Sequence, residues 1–208
     1  KENIENYRPI SLTSLVMKTF ERIIKDEILL RTNHLLDSHQ HGFLSKKSCT
    51  TNMAGFCDSV ALSLNDCLRT DVVYFDFAKA FDSVSHLKLI TVISSFKICP
   101  KVISWLKNFL DNRSQRVVVS NTFSQPIKVS SGVPQGSIIG PLLFLIYINN
   151  IDSCVKSLNG CGVKLFADDT KFFGSDEMNL QLSLNYLSEW LDDHQLDLAT
   201  DKCVALHL

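Results

Sequence analysis

The length, composition and charge of the chain limit what it can be. With 208 residues, of which 45% are hydrophobic, it can bury a sizeable core, so a disordered chain is excluded. Its apolar stretch at residues 142–148 is too short to cross a bilayer, so we expect no membrane association. The 21 basic and 22 acidic residues leave a net charge of -1, which by itself argues against nucleic-acid binding because phosphate contacts need Lys and Arg.

Two amphipathic helices are predicted in the first third of the chain. The first follows Ser11 and ends near Asp37, because apolar residues recur there at helical spacing. Its buried face would contain Leu12, Leu15, Val16, Phe20, Ile23, Ile24 and Ile28. The second follows a Ser/Thr-rich start at residues 48–51, and its buried face would contain Met53, Phe56, Cys57, Val60, Leu64 and Leu68.

The middle of the chain predicts a strand, two helices and a hairpin. Residues 72–75 are apolar, β-branched or aromatic, which is typical of a buried strand that ends at Asp76. One helix begins at Ser85 or His86, and Pro100 suits the first turn of the next helix. Two strands at residues 117–119 and 127–129 would then be joined by a turn over residues 120–126.

The last third predicts a second hairpin with acidic residues at its tip. Short apolar runs at residues 163–167 and 171–173 flank Asp168 and Asp169. A helix with leucines at helical spacing and a final strand at residues 203–208 complete the chain. Without repeats or linkers, we expect one continuous α+β unit, with helices packed around a small sheet.

Three carboxylates are the candidate chemical centre. Asp76 and the Asp168-Asp169 pair each follow an apolar strand. Carboxylates held close together repel one another, and a hard divalent cation with a preference for oxygen ligands relieves this repulsion. Mg²⁺ is the natural candidate, since a pair of such ions roughly 3.5–4 Å apart serves phosphoryl transfer. The absence of a His or Cys cage fits this chemistry.

Several motifs around these carboxylates resemble those of reverse transcriptases. They are YFDFAKAFDSV at residues 74–84, GVPQGS at residues 132–137 and FADD at residues 166–169, which resemble palm motifs A, B and C in order and spacing. Upstream, NYRPISL at residues 6–12 and QHGF at residues 40–43 resemble fingers motifs. FADD and the AFDSV segment at residues 80–84 resemble non-LTR retrotransposon and group II intron enzymes more than retroviral ones, and NYRPISL favours the non-LTR, LINE-type branch. The resemblance covers nearly the whole chain.

The resemblance implies roles for nine residues. Asp76, Asp168 and Asp169 would bind two Mg²⁺ ions, with Mn²⁺ as a possible substitute, and Lys202 would protonate the leaving pyrophosphate. The residues implied in nucleotide binding are Arg8, Phe77, Phe81, Gln135 and Gly136. Among these, Phe81 resembles the aromatic gate that excludes a ribose 2′-hydroxyl, and Arg8 resembles an arginine that grips the triphosphate. Lys46 and Lys47 are left open between substrate contact and solvated surface.

The resemblance also implies an architecture and substrates. The fold would be the palm of a right-hand polymerase, an antiparallel sheet with packed helices, plus partial fingers and no thumb. Residues 1–70 would belong to the fingers and residues 71–208 to the palm, with a fingers-like excursion near residues 97–130. The chain would add deoxynucleoside triphosphates to a DNA primer on an RNA template, and its protein partners are unknown.

Two alternatives stay open at this stage. A decayed or domesticated retrotransposon remnant could fold without catalysis, and a group II intron maturase has similar motifs. Seven scattered cysteines without a CxxC pair predict reduced core residues rather than disulfides or a zinc site. Together with a start that has no signal-peptide features, they lead us to expect an intracellular protein, with nucleus and cytoplasm equally open.

Overall fold

A four-stranded antiparallel sheet forms the centre of the fold. The computed structural model describes residues 8–111 and 113–208, so Asn6 and Tyr7 of the upstream motif lie outside the described residues. The strands are β1 (Asp71–Phe75), β6 (Cys161–Phe166), β7 (Asp169–Gly174) and β8 (Val204–His207). They are arranged in the order β6-β7-β1-β8. The predicted strands that flank Asp76 and the Asp168-Asp169 pair are therefore neighbours in one sheet.

The described residues also form seven α-helices, which pack on the sheet or on one another. They are α1 (Leu15–Thr32), α2 (Cys49–Asn65), α3 (Ala80–Ser83), α4 (His86–Ser95), α5 (Pro100–Leu110), α6 (Gly140–Tyr147) and α7 (Glu177–His194). Ser48 begins α2 with a capping box to Thr51, and Pro100 lies in the first turn of α5, as predicted. The expected α+β architecture is confirmed.

Helix α6 is the centre of the hydrophobic core. Its residues are apolar on every side, which is typical of a helix enclosed by other elements rather than one on the surface. Leu143, Phe144, Ile146 and Tyr147 are all fully buried. Since α6 directly follows the loop at residues 131–137, the core fixes the C-terminal end of that loop.

Helix α1 is confirmed, although it ends at Thr32 rather than near Asp37, and its predicted buried face is wrong except for Ile28 and the partly buried Ile24. Leu12, Leu15, Val16 and Ile23 are between 62% and 96% exposed, and Phe20 is 42% exposed. The buried residues of this helix are Glu21, Ile28 and Thr32, which share one face. Hydrogen bonds that Glu21 accepts from the start of α6 turn this face inward, so polar contacts rather than apolar periodicity orient α1.

The excursion between α5 and α6 forms a longer hairpin than predicted. Its strands are β2 (Ser114–Gln115), β3 (Val118–Val119), β4 (Thr122–Phe123) and β5 (Ile127–Lys128), with β2 paired to β5 and β3 to β4. The chain reverses at Ser120 and Asn121, which both have positive φ. This is the two-residue turn that matches strand twist, so Thr122 and Phe123 are strand residues rather than turn residues.

All seven cysteines are free, but the prediction that they are core residues is wrong for most of them. Cys49, Cys57, Cys67 and Cys99 are exposed, Cys161 and Cys203 are partly buried, and only Cys154 is buried. Cys49 and Cys57 lie on α2, which buries Asn52, Phe56 and Val60 instead.

Among the helices that the structure describes, none has the length and apolarity that a membrane span requires.

We expect the thiols to differ sharply in their reaction with iodoacetamide. Burial raises the pKa of Cys154 to about 11, so its thiolate is scarce at neutral pH and reagents cannot reach it. The four exposed cysteines should be alkylated first, and Cys154 only after the chain unfolds in urea. Peptide mass spectrometry at several times measures each rate, and alkylation of native Cys154 as fast as that of Cys67 would contradict this packing.

Candidate active site

Asp76 lies directly after β1, where the chain pairs with the segment that follows α7. The Ala199 amide donates to the Asp76 carbonyl at 2.8 Å, and the Ala78 amide donates to the Asp197 carbonyl at 2.8 Å. This pairing brings the neighbouring Lys202 toward the Asp76 side chain, and its Nζ lies 2.9 Å from Asp76 Oδ2. Both the hydrogen bond and the charge of Asp76 raise the pKa of Lys202. The predicted catalytic lysine and aspartate are therefore in contact.

Asp168 and Asp169 lie at the tight turn between β6 and β7. Phe166 pairs with Asp169, so Ala167 and Asp168 form a two-residue turn. Ala167 has φ 57°, a conformation that costs energy for a residue with a Cβ atom. Gln40 stabilises this turn, because its buried Oε1 accepts from the amides of Ala167 at 2.8 Å and Gly42 at 2.7 Å. The position of the acidic pair thus depends on a buried glutamine.

The strand register brings the three carboxylates to the same edge of the sheet. Phe75 pairs with Thr170, so the residues that flank this pair, Asp76 and Asp169, are neighbours across the two strands. Although Asp169 is exposed, partial loss of hydration raises its pKa, and the Asp168 and Asp76 carboxylates raise it further. Arg8 opposes this increase in pKa. The site therefore concentrates negative charge that a cation would stabilise.

The donors at this edge suit a hard divalent cation. All three side chains offer only carboxylate oxygens, the ligands that Mg²⁺ prefers. Among residues 8–111 and 113–208, no group of three or more His, Cys, Asp or Glu side chains is arranged to hold a metal ion as it stands. Lys202 instead supplies the cation next to Asp76. The carboxylates fit the chemistry of a magnesium site, and Mg²⁺ would have to compete with this ammonium group.

The loop at residues 131–137 presents Gln135 and Gly136 opposite the carboxylates. The Gln135 side chain donates to both carboxylate oxygens of Asp82, at 3.2 and 3.3 Å. The backbone carbonyl of Gln135 accepts from the Ser11 amide at 2.7 Å. Gly136 has φ 98°, and a Cβ atom there would lie 2.9 Å from the Ser11 carbonyl. Only glycine fits this contact without strain. It therefore allows the segment before α1 to pack closely against this loop.

Phe81 and Phe77 occupy different environments. The Phe81 ring is partly buried, stacks on Phe144 with centroids 4.5 Å apart and meets the edge of Phe43 at 6.2 Å. Because Phe144 is fully buried, it holds the Phe81 ring in place. Phe77, also predicted to bind a nucleotide, is only 3% exposed and belongs to the core. Any contact that Phe77 makes with a nucleotide must use its backbone or one edge of its ring.

One cavity of about 500 Å³ brings nearly all the predicted site residues together. Eight of the nine predicted residues line it: Arg8, Asp76, Phe77, Phe81, Gln135, Gly136, Asp168 and Lys202. Asp169 is beside the cavity rather than in its wall. These residues come from five separate parts of the sequence, so their convergence is a result of the fold.

Two residues that support the site were missed by the sequence analysis. Gln40 belongs to the quoted QHGF motif but received no role, although it stabilises the turn at Ala167. Glu21 is fully buried on α1, and its Oε2 accepts from the amides of Ile138 at 2.7 Å and Ile139 at 3.2 Å. A signal for Glu21 was available, because it shares a helix face with Ile28, seven residues later.

The two lysines left open by the sequence differ in the structure. Lys47 donates to the backbone carbonyls of Ser38 at 2.6 Å and Gln40 at 2.8 Å, so it stabilises the segment that supports the acidic turn. Lys46 is exposed and has φ 63°. The contacts of Lys47 favour a structural role for its ammonium group.

Comparison with known proteins gives a consistent picture. The family model described as "Reverse transcriptase (RNA-dependent DNA polymerase)" matches residues 1–207. A probable RNA-directed DNA polymerase from transposon BS of Drosophila melanogaster is 33% identical over 149 residues, 71% of this chain and 16% of that protein. A Pol polyprotein from the type-1 retrotransposable element R2 of Nasonia vitripennis is 25% identical over 97% of this chain and 20% of that protein.

The fold has a clear counterpart among solved structures. Telomerase from Candida tropicalis, solved with a fragment of telomeric RNA, superimposes with a TM-score of 0.71 at 12% identity. The match covers 88% of this chain and 33% of that one. The expected polymerase palm is thereby confirmed as a fold, whereas the division into fingers and palm at residue 70 stays a prediction.

We expect Glu21→Ala to destabilise the chain far more than Glu27→Ala on the same helix. Removal of Glu21 leaves the buried amide of Ile139 and the partly buried amide of Ile138, just before α6, without an acceptor, which costs about 1–3 kcal/mol. Glu27 is only partly buried and pairs with the exposed Arg31 on the surface, so its loss should cost at most about 0.5 kcal/mol. Urea unfolding followed by circular dichroism measures both, and equal free energies of unfolding for the two variants would contradict the role of Glu21.

Proposed function

Because this chain belongs to the reverse transcriptase family and has a LINE-type reverse transcriptase domain, we propose that it is the catalytic part of an RNA-directed DNA polymerase of a non-LTR retrotransposon. The chain spans only 16–20% of the length of the relatives described above, so activity, substrates and partners are proposals for this protein. The observation that carries the proposal is the convergence of eight predicted site residues on one cavity.

The three carboxylates would provide the metal site. Members of this family generally use divalent metal ions, and we propose Mg²⁺, held by Asp76, Asp168 and Asp169. When bound, the ions would activate the primer hydroxyl and stabilise the charge of the leaving pyrophosphate. Lys202 would keep Asp76 neutralised before a substrate binds. Its exposed ammonium group would then be available to donate a proton to the pyrophosphate.

The rest of the cavity would bind and select the nucleotide. Arg8 is exposed at the cavity and on the same side as Asp169, so its guanidinium group can grip a triphosphate. The Phe81 ring, held by Phe144, would exclude a ribose 2′-hydroxyl by its bulk. Gln135 is oriented by Asp82, and Gly136 lets a base pair approach the backbone closely.

The carboxylate assignment predicts a large loss of polymerisation in Asp76→Asn and Asp168→Asn. Each change removes a charged metal ligand and should lower incorporation of deoxynucleotides on a primed RNA template by about 100-fold or more. Asp192→Asn, an exposed change on α7, is the matched control. Chelation of divalent ions should abolish activity, and added Mg²⁺ should restore it.

Two results of this assay would count against the proposal. Incorporation by Asp76→Asn and Asp168→Asn at the rate of the parent chain would show that the carboxylates are not the metal ligands. If the folded parent chain incorporates nothing with either Mg²⁺ or Mn²⁺, the alternative of an inactive remnant is favoured. Circular dichroism distinguishes that result from a chain that fails to fold.

The steric role of Phe81 predicts a change in sugar selection. Phe81→Val should lower the preference for deoxynucleotides over ribonucleotides by roughly 10- to 100-fold, because space opens beside the 2′ position. Phe81→Tyr keeps the ring and should preserve the preference. The ratio of kcat/KM for the two nucleotides measures this, and an unchanged ratio in Phe81→Val would refute the role.

A further inference from the structure

Lys171 is a buried cation to which the proposed reaction assigns no role. It lies on β7 and is only 6% exposed. Its Nζ lies 4.3 Å from the centroid of the Phe56 ring and 5.6 Å from that of the Tyr74 ring. Within residues 8–111 and 113–208 it forms no ion pair. Two aromatic rings accompany this ammonium group, but no anion balances its charge.

A second lysine adds to the positive charge at this face of the sheet. Lys164 on β6 pairs directly with Lys171 across the two strands, and like charges in opposite positions repel each other. The Lys164 Nζ extends toward α2, where it lies 3.2 Å from the position that a Cβ atom of Gly55 would occupy. In the part of the chain that the structure describes, Lys164 forms no ion pair either. The space between the sheet and α2 therefore has a positive potential.

Two exposed cysteines on α2 border this pair of lysines. Cys57 directly follows Phe56, whose ring contacts Lys171, and Cys49 lies about two turns earlier on the same helix. Both thiols are exposed, and a negative charge on either would stabilise the Lys171 ammonium group. Asp58 follows Cys57 in the sequence, but its side chain is directed about 100° further around the helix. The charges between these thiols and the sheet are therefore positive.

The two cysteines cannot form a disulfide with each other. They are eight positions apart on one helix, which places their Cα atoms about 12 Å from each other. A disulfide requires Cα atoms closer than about 7 Å. Oxidation by a small disulfide would therefore leave a mixed disulfide on one of these thiols rather than a bond within α2.

We infer that Cys57 is a modification site that forms a mixed disulfide with an anionic small thiol, which Lys171 and Lys164 attract. Cys57 is assigned in preference to Cys49 because it adjoins Phe56, the residue in contact with Lys171. The carboxylates of the attached thiol would supply the anion that the two lysines lack. No residue of the candidate active site takes part, so the inference is independent of the proposed function.

The modification is a thiol–disulfide exchange. The Cys57 thiolate attacks one sulfur of an anionic disulfide, and a new S–S bond forms while the original S–S bond breaks. The other half of the reagent leaves as a thiolate and takes up a proton equivalent to the one that Cys57 released. Cys57 is thereby oxidised, and the leaving half is reduced.

Three disulfides of different charge test the inference on the folded chain. Glutathione disulfide is anionic, hydroxyethyl disulfide is neutral and cystamine is cationic. Peptide mass spectrometry at several times gives the rate at which each cysteine is modified at one pH. The rate with glutathione disulfide divided by the rate with cystamine is the charge preference of that thiol. Cys67, an exposed thiol just after α2, is the internal control.

We expect the charge preference of Cys57 to exceed that of Cys67 by about tenfold at low salt, and KCl to reduce this difference by screening. Lys164→Gln and Lys171→Met should each lower the preference of Cys57 by roughly threefold, the effect of one unit charge about 6 Å away in water. Lys156→Gln, which removes an exposed lysine elsewhere, should leave the preference unchanged. Circular dichroism confirms the fold of each variant, and Lys164→Gln, at a partly exposed position, decides the matter if Lys171→Met does not fold.

Several outcomes would overturn the inference. Equal charge preferences for Cys57 and Cys67 would show that the lysines do not attract the reagent. A preference of Cys57 that persists in about 1 M KCl, or that Lys164→Gln leaves unchanged, would exclude an electrostatic cause. Faster modification of Cys49 than of Cys57 by glutathione disulfide would refute the assignment to Cys57.

Discussion

The antiparallel register between β1 and β7 is the constraint on which the candidate site depends. Phe75 opposite Thr170 places Asp76 beside the turn that carries Asp168 and Asp169. A shift by one residue would turn every side chain of β1 to the other face of the sheet and expose Val72, which is fully buried. The apolar core thus holds together carboxylates that would otherwise repel one another. Negative charge is tolerated at this edge because burial elsewhere in the same strands fixes the register.

Two buried polar side chains from the N-terminal part of the chain then set the details of the site. Gln40 holds the strained turn at Ala167, and Glu21 holds the start of α6, directly after the loop with Gln135. Each acts on backbone amides, so each fixes the path of a loop rather than the position of one side chain. A buried donor or acceptor without a partner costs free energy. Any other backbone path for these loops would break the hydrogen bonds to Gln40 or Glu21 and is therefore disfavoured. The region before β1 is part of the scaffold of the carboxylates, whatever domain boundary is drawn at residue 70.

The sequence predicted the strands, most helices and the convergence of the motif residues, because apolar runs, caps and acidic turns are local signals. It failed where tertiary contacts decide the outcome. The apolar periodicity of α1 suggested a buried face with Leu15 and Ile23, yet the hydrogen bonds of Glu21 turn the opposite side inward. Cys57 lies on a helix whose buried face is set by Phe56 and Val60. No local pattern reveals which of several apolar stripes will find a partner, or that Lys202 will reach Asp76 across the sheet.

The net charge of the chain was also a poor guide to function, because it does not describe how charge is distributed over the fold. A net value near zero first argued against a nucleic-acid partner, but charge acts locally, since salt screens exposed charges within about 8–10 Å. The excess of cations at residues 97–130 and the excess of acids at residues 176–208 belong to different elements, the hairpin with α5 and the region of α7. A polyanion close to the hairpin would experience the first and little of the second. The distribution of charge over the fold, rather than its sum, is what bears on function here.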